Sequence, residues 1–246
     1  MATESTEEHG NIITAAKYWA IVPAAGAGKR MGASVPKQYL QLASQTVLEH
    51  TLDRLLGCGR IAGVVLVLSP GDEFWPAIGA RYAGRNIEPV RGGAERCHSV
   101  FNGIDHLAAR ASADDWVLVH DAARPCVRVT DIERLMDILA GGEQGGLLGV
   151  PVADTMKRVD GEFRVAATVE RAGMWHALTP QMFRYGKLRH ALEQAIEDQA
   201  LVTDESSAME LAGHEPVLVE GHADNIKVTR PEDLALATFY LQQQGS

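Results

Sequence analysis

The chain has 246 residues, 46% of them apolar and 22% charged. That is the balance of a globular protein with a sizeable core, and it excludes disordered, collagen-like and coiled-coil classes for the bulk of the chain. With 23 basic and 32 acidic residues the net charge is −9, which speaks against a duplex nucleic-acid binder and against docking on an anionic membrane.

From Tyr18 onward, short apolar runs alternate with amphipathic stretches. Strands are expected at 18–22 and 64–68, whose near-continuous apolar runs suit a sheet buried on both faces. Between them, residues 46–56 read as a helix with Val47, Leu48, Leu52, Leu55 and Leu56 on one side and Gly57 as a stop. A strand at 87–91, a helix over 94–110, a strand at 116–120 and a helix over 130–140 follow. The alternation predicts an α/β, doubly wound, mostly parallel sheet with right-handed crossovers. After Gly145 the pattern changes. A strand is expected at 146–152. An extended hairpin then occupies 153–173, turning at Asp160-Gly161. A lone two-stranded ribbon is marginally stable in water, so this arm, about 151–173, is expected to pack on a second copy of the chain. Helices near 187–199 and 204–212, strands at 216–220 and 225–228, and a helix over 232–243 opened by Pro231 complete the reading.

Cys58, Cys97 and Cys126 form no Cys-x-x-Cys pair, and the nine histidines show no His-x-x-x-His spacing, so neither a disulfide framework nor a zinc enzyme is expected. No apolar run reaches the roughly 18 residues that span a bilayer. Met1–Gly10 carries Glu4, Glu7 and Glu8 and no apolar block, unlike a secretory or transit peptide. The expectation is a cytoplasmic protein with a flexible polar tail over 1–16 and a single domain over 17–246.

Three strand-end segments carry chemistry. The first, Pro23-Ala24-Ala25-Gly26-Ala27-Gly28-Lys29-Arg30-Met31, is neither a dinucleotide fingerprint nor a Walker A loop. It reads as a tight turn or as a phosphate cradle. The nearby cations Lys29, Arg30 and Lys37 favour a polyphosphate ligand. The second, Gly92-Gly93-Ala94-Glu95-Arg96-Cys97-His98-Ser99, offers backbone groups able to read a base edge, and equally reads as a plain turn. The third is His120-Asp121-Ala122-Ala123-Arg124-Pro125. Asp121 there suits an Mg²⁺ ligand or an ion pair with Arg124, and His120 a packed histidine.

Taken together and in order, these segments resemble one family. With Pro36-Lys37-Gln38-Tyr39, Pro151 to Lys157, Thr168-Val169-Glu170-Arg171, Trp175 to Gln181, Thr203-Asp204-Glu205 and Asn225 to Leu234, the chain resembles the 2-C-methyl-D-erythritol 4-phosphate cytidylyltransferases over about residues 18–241. The resemblance implies a Rossmann-like nucleotidyltransferase fold with a protruding β-hairpin arm. It implies transfer of the cytidylyl group from CTP, with Mg²⁺ or another divalent cation, to methylerythritol phosphate for isoprenoid synthesis. Ala24, Ala25, Gly26, Ala27, Gly28, Gly93, Ala94 and Ser99 would hold CTP together with Arg30 and Lys37, which also stabilise the transition state. Arg171 and Lys227 would hold methylerythritol phosphate as catalytic positioners, joined by Thr155, Asp121, Arg124 and Thr179. Asp121 and, beyond it, Asp224 are the metal candidates. The arm would make a homodimer, taking Thr155 and Arg171 to the partner's site. Ribitol 5-phosphate cytidylyltransferases share the fold and Pro-Lys-Gln but resemble Leu-Ala-Gly-Gly in the first loop. A catalytically silent nucleotide-binding relative would lack the attack-site cations that Arg30, Lys37, Arg171 and Lys227 supply.

Overall fold

The structure, a computed structural model, describes residues 15–26 and 35–245. In chain order it contains β1 (Tyr18–Pro23), β2 (Gln41–Leu42), β3 (Gln45–Thr46), α1 (Val47–Gly57), β4 (Ile61–Leu68), α2 (Trp75–Gly79), β5 (Ile87–Arg91), α3 (Arg96–Asp105), β6 (Trp116–Val119) and α4 (Val129–Leu139). There follow β7 (Gly146–Pro151), β8 (Met156–Val159), β9 (Val165–Val169), β10 (Trp175–Arg184), α5 (Tyr185–Glu197), α6 (Glu205–Leu211), β11 (Val217–Glu220) and α7 (Glu232–Gln244). Seven strands form one sheet in the order β11-β7-β10-β6-β1-β4-β5.

The continuous apolar runs of β1, β4 and β6 have a direct cause. Successive side chains of a strand point to opposite faces, and here both faces are covered. Ala20, Val22, Val64, Leu66, Trp116 and Leu118 pack with Leu48, Leu52 and Leu55 of α1 and Ile132 and Leu135 of α4. Their neighbours Trp19, Ile21, Val65, Val67, Val117 and Val119 pack with Val100 and Ile104 of α3, Leu188 and Leu192 of α5 and Met209 of α6. β1 pairs in parallel with both β4 and β6. From β1 the chain steps outward to β4 and β5, then returns to place β6 on the other side. Such a reversal of winding opens a crevice at the carboxyl ends of the strands.

Five expectations need correction. β10 runs antiparallel between β6 and β7 where no strand was expected. Pro180 argues against a central strand, but it sits in the register shift between Ala177 and Gln181, where its missing N–H is not needed. Residues 225–228 form no strand. Their backbone groups bond elsewhere: the Val228 N–H to the Ala123 carbonyl, Arg124 Nη1 to the Asn225 carbonyl and Lys37 Nζ to the Val228 carbonyl. α3 is shorter than the expected 94–110 and ends at Asp105. The arm's turn is wider than Asp160-Gly161 alone. The Asp160 carboxylate accepts from the Glu162 and Arg164 N–H groups, and the left-handed residue is Phe163, at φ 60°. Pro231 precedes α7, at its N-cap.

The arm itself is present. β8 and β9 form a separate antiparallel ribbon, continuing the β7–β10 hairpin past the Val152 N–H to Met174 carbonyl bond. Its apolar side chains are exposed, Phe163 at 88% and Val165 at 62%. No described helix is long and apolar enough to cross a membrane.

α1 begins with a full capping box: the Thr46 hydroxyl accepts from the Glu49 N–H, and the Glu49 carboxylate accepts from the Thr46 N–H at 2.7 Å. Thr46→Ala is expected to lower the unfolding free energy by about 1 kcal/mol, measured by urea denaturation, with the m-value unchanged.

Candidate active site

Two adjoining cavities open at the carboxyl ends of β1, β5 and β6. The first, about 240 Å³, is walled by the loop Pro23–Gly26, by Lys37 and Gln38, by the stretch 93–96 with Ser99, by Asp121–Ala123 and by Lys227. The second, about 220 Å³, is walled by Arg124, by Leu178, Thr179 and Gln181 of β10, and by Thr203 and Asp204 before α6. Arg96, Asp121 and Lys227 line both and form the partition between them.

The first cavity is built from small residues held by backbone bonds. The Ala24 N–H bonds the Val67 carbonyl at 2.7 Å, the Gly92 N–H bonds the Leu68 carbonyl at 2.7 Å, and the Gln38 amide donates to the Ala24 carbonyl at 2.6 Å. A Cβ on Gly92 would lie 2.6 Å from Ala25 Cβ and 2.9 Å from Ser99 Oγ. Glycine there is what lets the two strand-end loops touch. Ser99 Oγ accepts from the Gly93 N–H at 3.1 Å. α3 starts beside this loop without a side-chain cap, leaving the positive end of its dipole at the cavity wall.

The partition is an ionic cluster. Lys227 Nζ lies 2.8 Å and Arg124 Nε 3.5 Å from Asp121 Oδ2, and Arg96 Nη2 lies 3.3 Å from Asp121 Oδ1. Asp121 is 7% exposed. Burial pushes its carboxyl up, but Arg96, Lys227 and Arg124 overcome that and hold it well below the usual carboxylate range. Arg96 has a second anchor, since its Nη1 and Nη2 lie 2.6 and 3.0 Å from the carboxylate oxygens of fully buried Glu205. Burial works against the charge on Arg96, and Glu205 and Asp121 more than offset it, so its pKa is raised.

Beneath the cluster lies His120, fully buried as expected. Its Nε2 is 3.1 Å from the Arg124 carbonyl and its Nδ1 2.9 Å from the Thr179 hydroxyl. A carbonyl can only accept, so Nε2 carries the proton and the Thr179 hydroxyl donates to Nδ1. Thr179 Oγ1 in turn accepts from the Asp121 N–H at 3.1 Å. Burial pulls the His120 pKa down to about 4.

The structure therefore brings Ala24, Ala25, Gly26, Lys37, Gly93, Ala94, Ser99, Asp121, Arg124, Thr179 and Lys227 to the paired cavities. Ala27, Gly28 and Arg30 lie outside the described residues. Thr155 and Arg171 are exposed on the arm and line neither cavity of their own chain, and Arg171 donates to the Ala153 carbonyl. Asp224 lines neither cavity. Its Oδ2 accepts from Arg128 at 2.6 Å and from Gln244 at 3.0 Å, while its Oδ1 is buried without a partner. Asp121 and Arg124 form an ion pair that also faces the cavities. Asp121 suits the one-carboxylate-plus-phosphates manner in which Mg²⁺ is commonly held, though both its oxygens already meet cations. Arg96, Gln38 and Glu205 received no role from the sequence, and only the Arg-x-x-Ser spacing hinted at Arg96.

His120 gives a pH signature. The unfolded histidine protonates near 6.5 and the folded one near 4, so the neutral ring's contribution is complete above 6.5 and is lost as pH falls towards 4. In His120→Gln, the stability lost between pH 7 and 5 is expected to be smaller by about 2 kcal/mol, read from thermal melts at each pH against wild type.

The comparisons with known proteins agree with this geometry. The family model described as IspD, 2-C-methyl-D-erythritol 4-phosphate cytidylyltransferase, matches residues 18–243. The enzyme of that name from Hahella chejuensis (strain KCTC 2396) is 52% identical over 243 residues, covering 99% of this chain and 98% of the relative. The one from Pseudomonas putida (strain GB-1) is 53% identical over 225 residues, covering 91% and 95%. The crystal structure of the Francisella tularensis enzyme superposes with a TM-score of 0.80 at 34% identity, covering 92% of this chain and all of that one. A sheet of this order, a strand-end cleft of small residues and cations, and a matching model over nearly the whole length lead to one assignment: the chain belongs to the 2-C-methyl-D-erythritol 4-phosphate cytidylyltransferase family.

Proposed function

We propose that the first cavity takes CTP, the second takes 2-C-methyl-D-erythritol 4-phosphate, and the reacting phosphates meet at the partition of Arg96, Asp121 and Lys227. The chain is a nucleotidyltransferase. It transfers the cytidylyl group of CTP to methylerythritol phosphate and gives 4-diphosphocytidyl-2-C-methyl-D-erythritol and pyrophosphate, a step towards isoprenoid precursors. The observation that carries the placement is that two cavities of unlike lining share one cationic wall.

The reaction is an in-line exchange. An oxygen of the substrate phosphate forms a bond to the α-phosphorus of CTP, and the bond from that phosphorus to the β-phosphate oxygen breaks. The nucleophile is already anionic, so no proton has to be removed. The barrier lies in bringing two anions together and holding the charge of the transition state, which calls for positioned cations. In our reading Lys37 and Arg30 meet the α-phosphate, Lys227 and Arg124 orient the incoming phosphate, and Ala24, Gly26, Gly93 and Ser99 receive the base. A divalent cation such as Mg²⁺, carried on the triphosphate, supplies charge neutralisation there, and Asp121 is the cavity carboxylate that would share it.

Removing one preorganised donor typically costs about 10²–10³ in rate. Lys37→Ala is expected to lose that much kcat in a pyrophosphate-release assay with CTP, Mg²⁺ and methylerythritol phosphate. Turnover with ribitol 5-phosphate instead would overturn the substrate of the second cavity, and full activity of the variant would overturn the role of Lys37.

The arm is proposed to clasp a second copy, presenting Thr155 and Arg171 to its partner's second cavity. Support comes from their absence from the walls of their own chain's two cavities and from the exposed apolar side chains of a ribbon with no core of its own. Mixing two inactive variants tests this. Arg171→Ala and Lys37→Ala chains, exchanged at equal concentration, should recover about a quarter of wild-type activity per site, because half the dimers are mixed and each has one intact site. No recovery, with exchange verified by a tag, would put Arg171 to work in its own chain.

A further inference from the structure

We infer that Glu205 is a positioning residue for the transfer reaction: buried behind the partition, it anchors the Arg96 guanidinium at the boundary between the two cavities. This rests on the placement of the two substrates proposed above. Arg96 follows β5 on the first turn of α3, and Glu205 opens α6, 109 residues later. Glu205 is 0% exposed and lines neither cavity, so it cannot itself touch a substrate there. Arg96 lines both.

The two anchors of Arg96 are unequal. Glu205 receives it through two short bonds, 2.6 and 3.0 Å, whereas its contact with Asp121 is a single one of 3.3 Å. A two-point guanidinium–carboxylate pair fixes the plane of the fork as well as its position. Without Glu205, Arg96 has one carboxylate left. It would close onto Asp121, compete with Lys227 and Arg124, and lose the fixed orientation of its guanidinium at the boundary where the phosphates meet.

The mount for Glu205 is stiff. Asp204 caps α6 by accepting from the Ser207 N–H at 3.0 Å, and its other oxygen accepts from the Gln181 amide at 2.9 Å. Gln181 Oε1 accepts from the Ser206 N–H at 2.8 Å. Residues on both sides of Glu205 are thus tied to the central strand β10, and the side chain between them is held facing Arg96. Thr203, Asp204 and Gln181 belong to the wall of the second cavity, so the same bracket shapes that cavity and orients the cation at its edge.

The experiment compares Glu205→Gln, Glu205→Asp and Lys37→Ala with wild type, and adds Arg96→Ala with and without Glu205→Gln. Misplacing a group by about 1 Å can cost about 10²-fold in rate. Glu205→Gln is expected to lose 10- to 100-fold in kcat, with KM for CTP within threefold, and Glu205→Asp, which keeps the charge at shorter reach, to lose less. On the Arg96→Ala background, Glu205→Gln should cost nothing more. A kcat unchanged in folded Glu205→Gln or Glu205→Asp overturns the inference. So does a loss of equal size on both backgrounds, which is what a purely structural role gives. Lys37→Ala separates the two levels: if it is fully active the substrate placement itself fails, and if it is inactive while the Glu205 variants keep their kcat, only the positioning role fails.

Discussion

The carboxylate of Asp121 is the constraint on which the cleft depends. It draws together three segments that the chain keeps far apart: Arg96 at the start of α3, Arg124 in the loop after β6, and Lys227 before α7. Three cations at such distances would repel one another, and a carboxylate this deep would be costly alone, by several kcal/mol. Each side of the cluster removes the penalty of the other. The pairing is bound to the sheet through the Asp121 N–H, the Thr179 hydroxyl and the neutral ring of His120. Because the cations hold the Asp121 carboxyl far below the ordinary range, that carboxylate stays ionised through neutral pH. The site is thus set before any substrate arrives, and fixed charges that need not reorganise are what stabilise a phosphoryl-type transition state most effectively.

That arrangement also reconciles an acidic protein with two anionic substrates. The net charge of the chain is −9, yet Lys37, Arg96, Arg124 and Lys227 converge on one crevice. Clefts with low-dielectric walls focus the field of the charges that line them, so the local sign can oppose the global one. The Asp121 carboxylate meets Arg96, Arg124 and Lys227, and the Val228 carbonyl accepts from Lys37. Arg96 is gripped from behind by Glu205 and from the side by Asp121.

What could be read from the sequence was whatever is local. β1, β4 and β6 were legible because strands covered on both faces are apolar without interruption, and Ile21 and Val22 do end on opposite faces in separate cores. The strand-end loops were legible because close approach needs small residues, and Gly92 against Ala25 is the physical reason. β10 was hidden by Pro180, since nothing in the sequence announces the register shift that accommodates it. At 225–228 the expected strand does not form, because side chains from Arg124 and Lys37 take the carbonyls a neighbouring strand would have used. Arg96 and Glu205 each stand in a segment that the sequence singles out, but nothing in the sequence pairs them. An ion pair across 109 residues has no period and no spacing.

The arm shows the same logic from the opposite side. Its strands bury almost nothing in their own chain, and the turn at Asp160–Arg164 is held by one aspartate accepting from two backbone N–H groups and the Arg164 side chain. That is enough to shape a hairpin tip, but a two-stranded ribbon in water is marginal by itself. Its apolar residues, Val159, Phe163 and Val165, therefore gain most from whatever surface they meet. If that surface is a second copy and Arg171 completes its cleft, assembly and catalysis become one equilibrium: Arg171 joins Lys227 and Arg124 at the incoming phosphate only in the associated state. The cluster around Asp121 and the reach of the arm would then divide the work, one fixing where the phosphates meet and the other deciding when the site is whole.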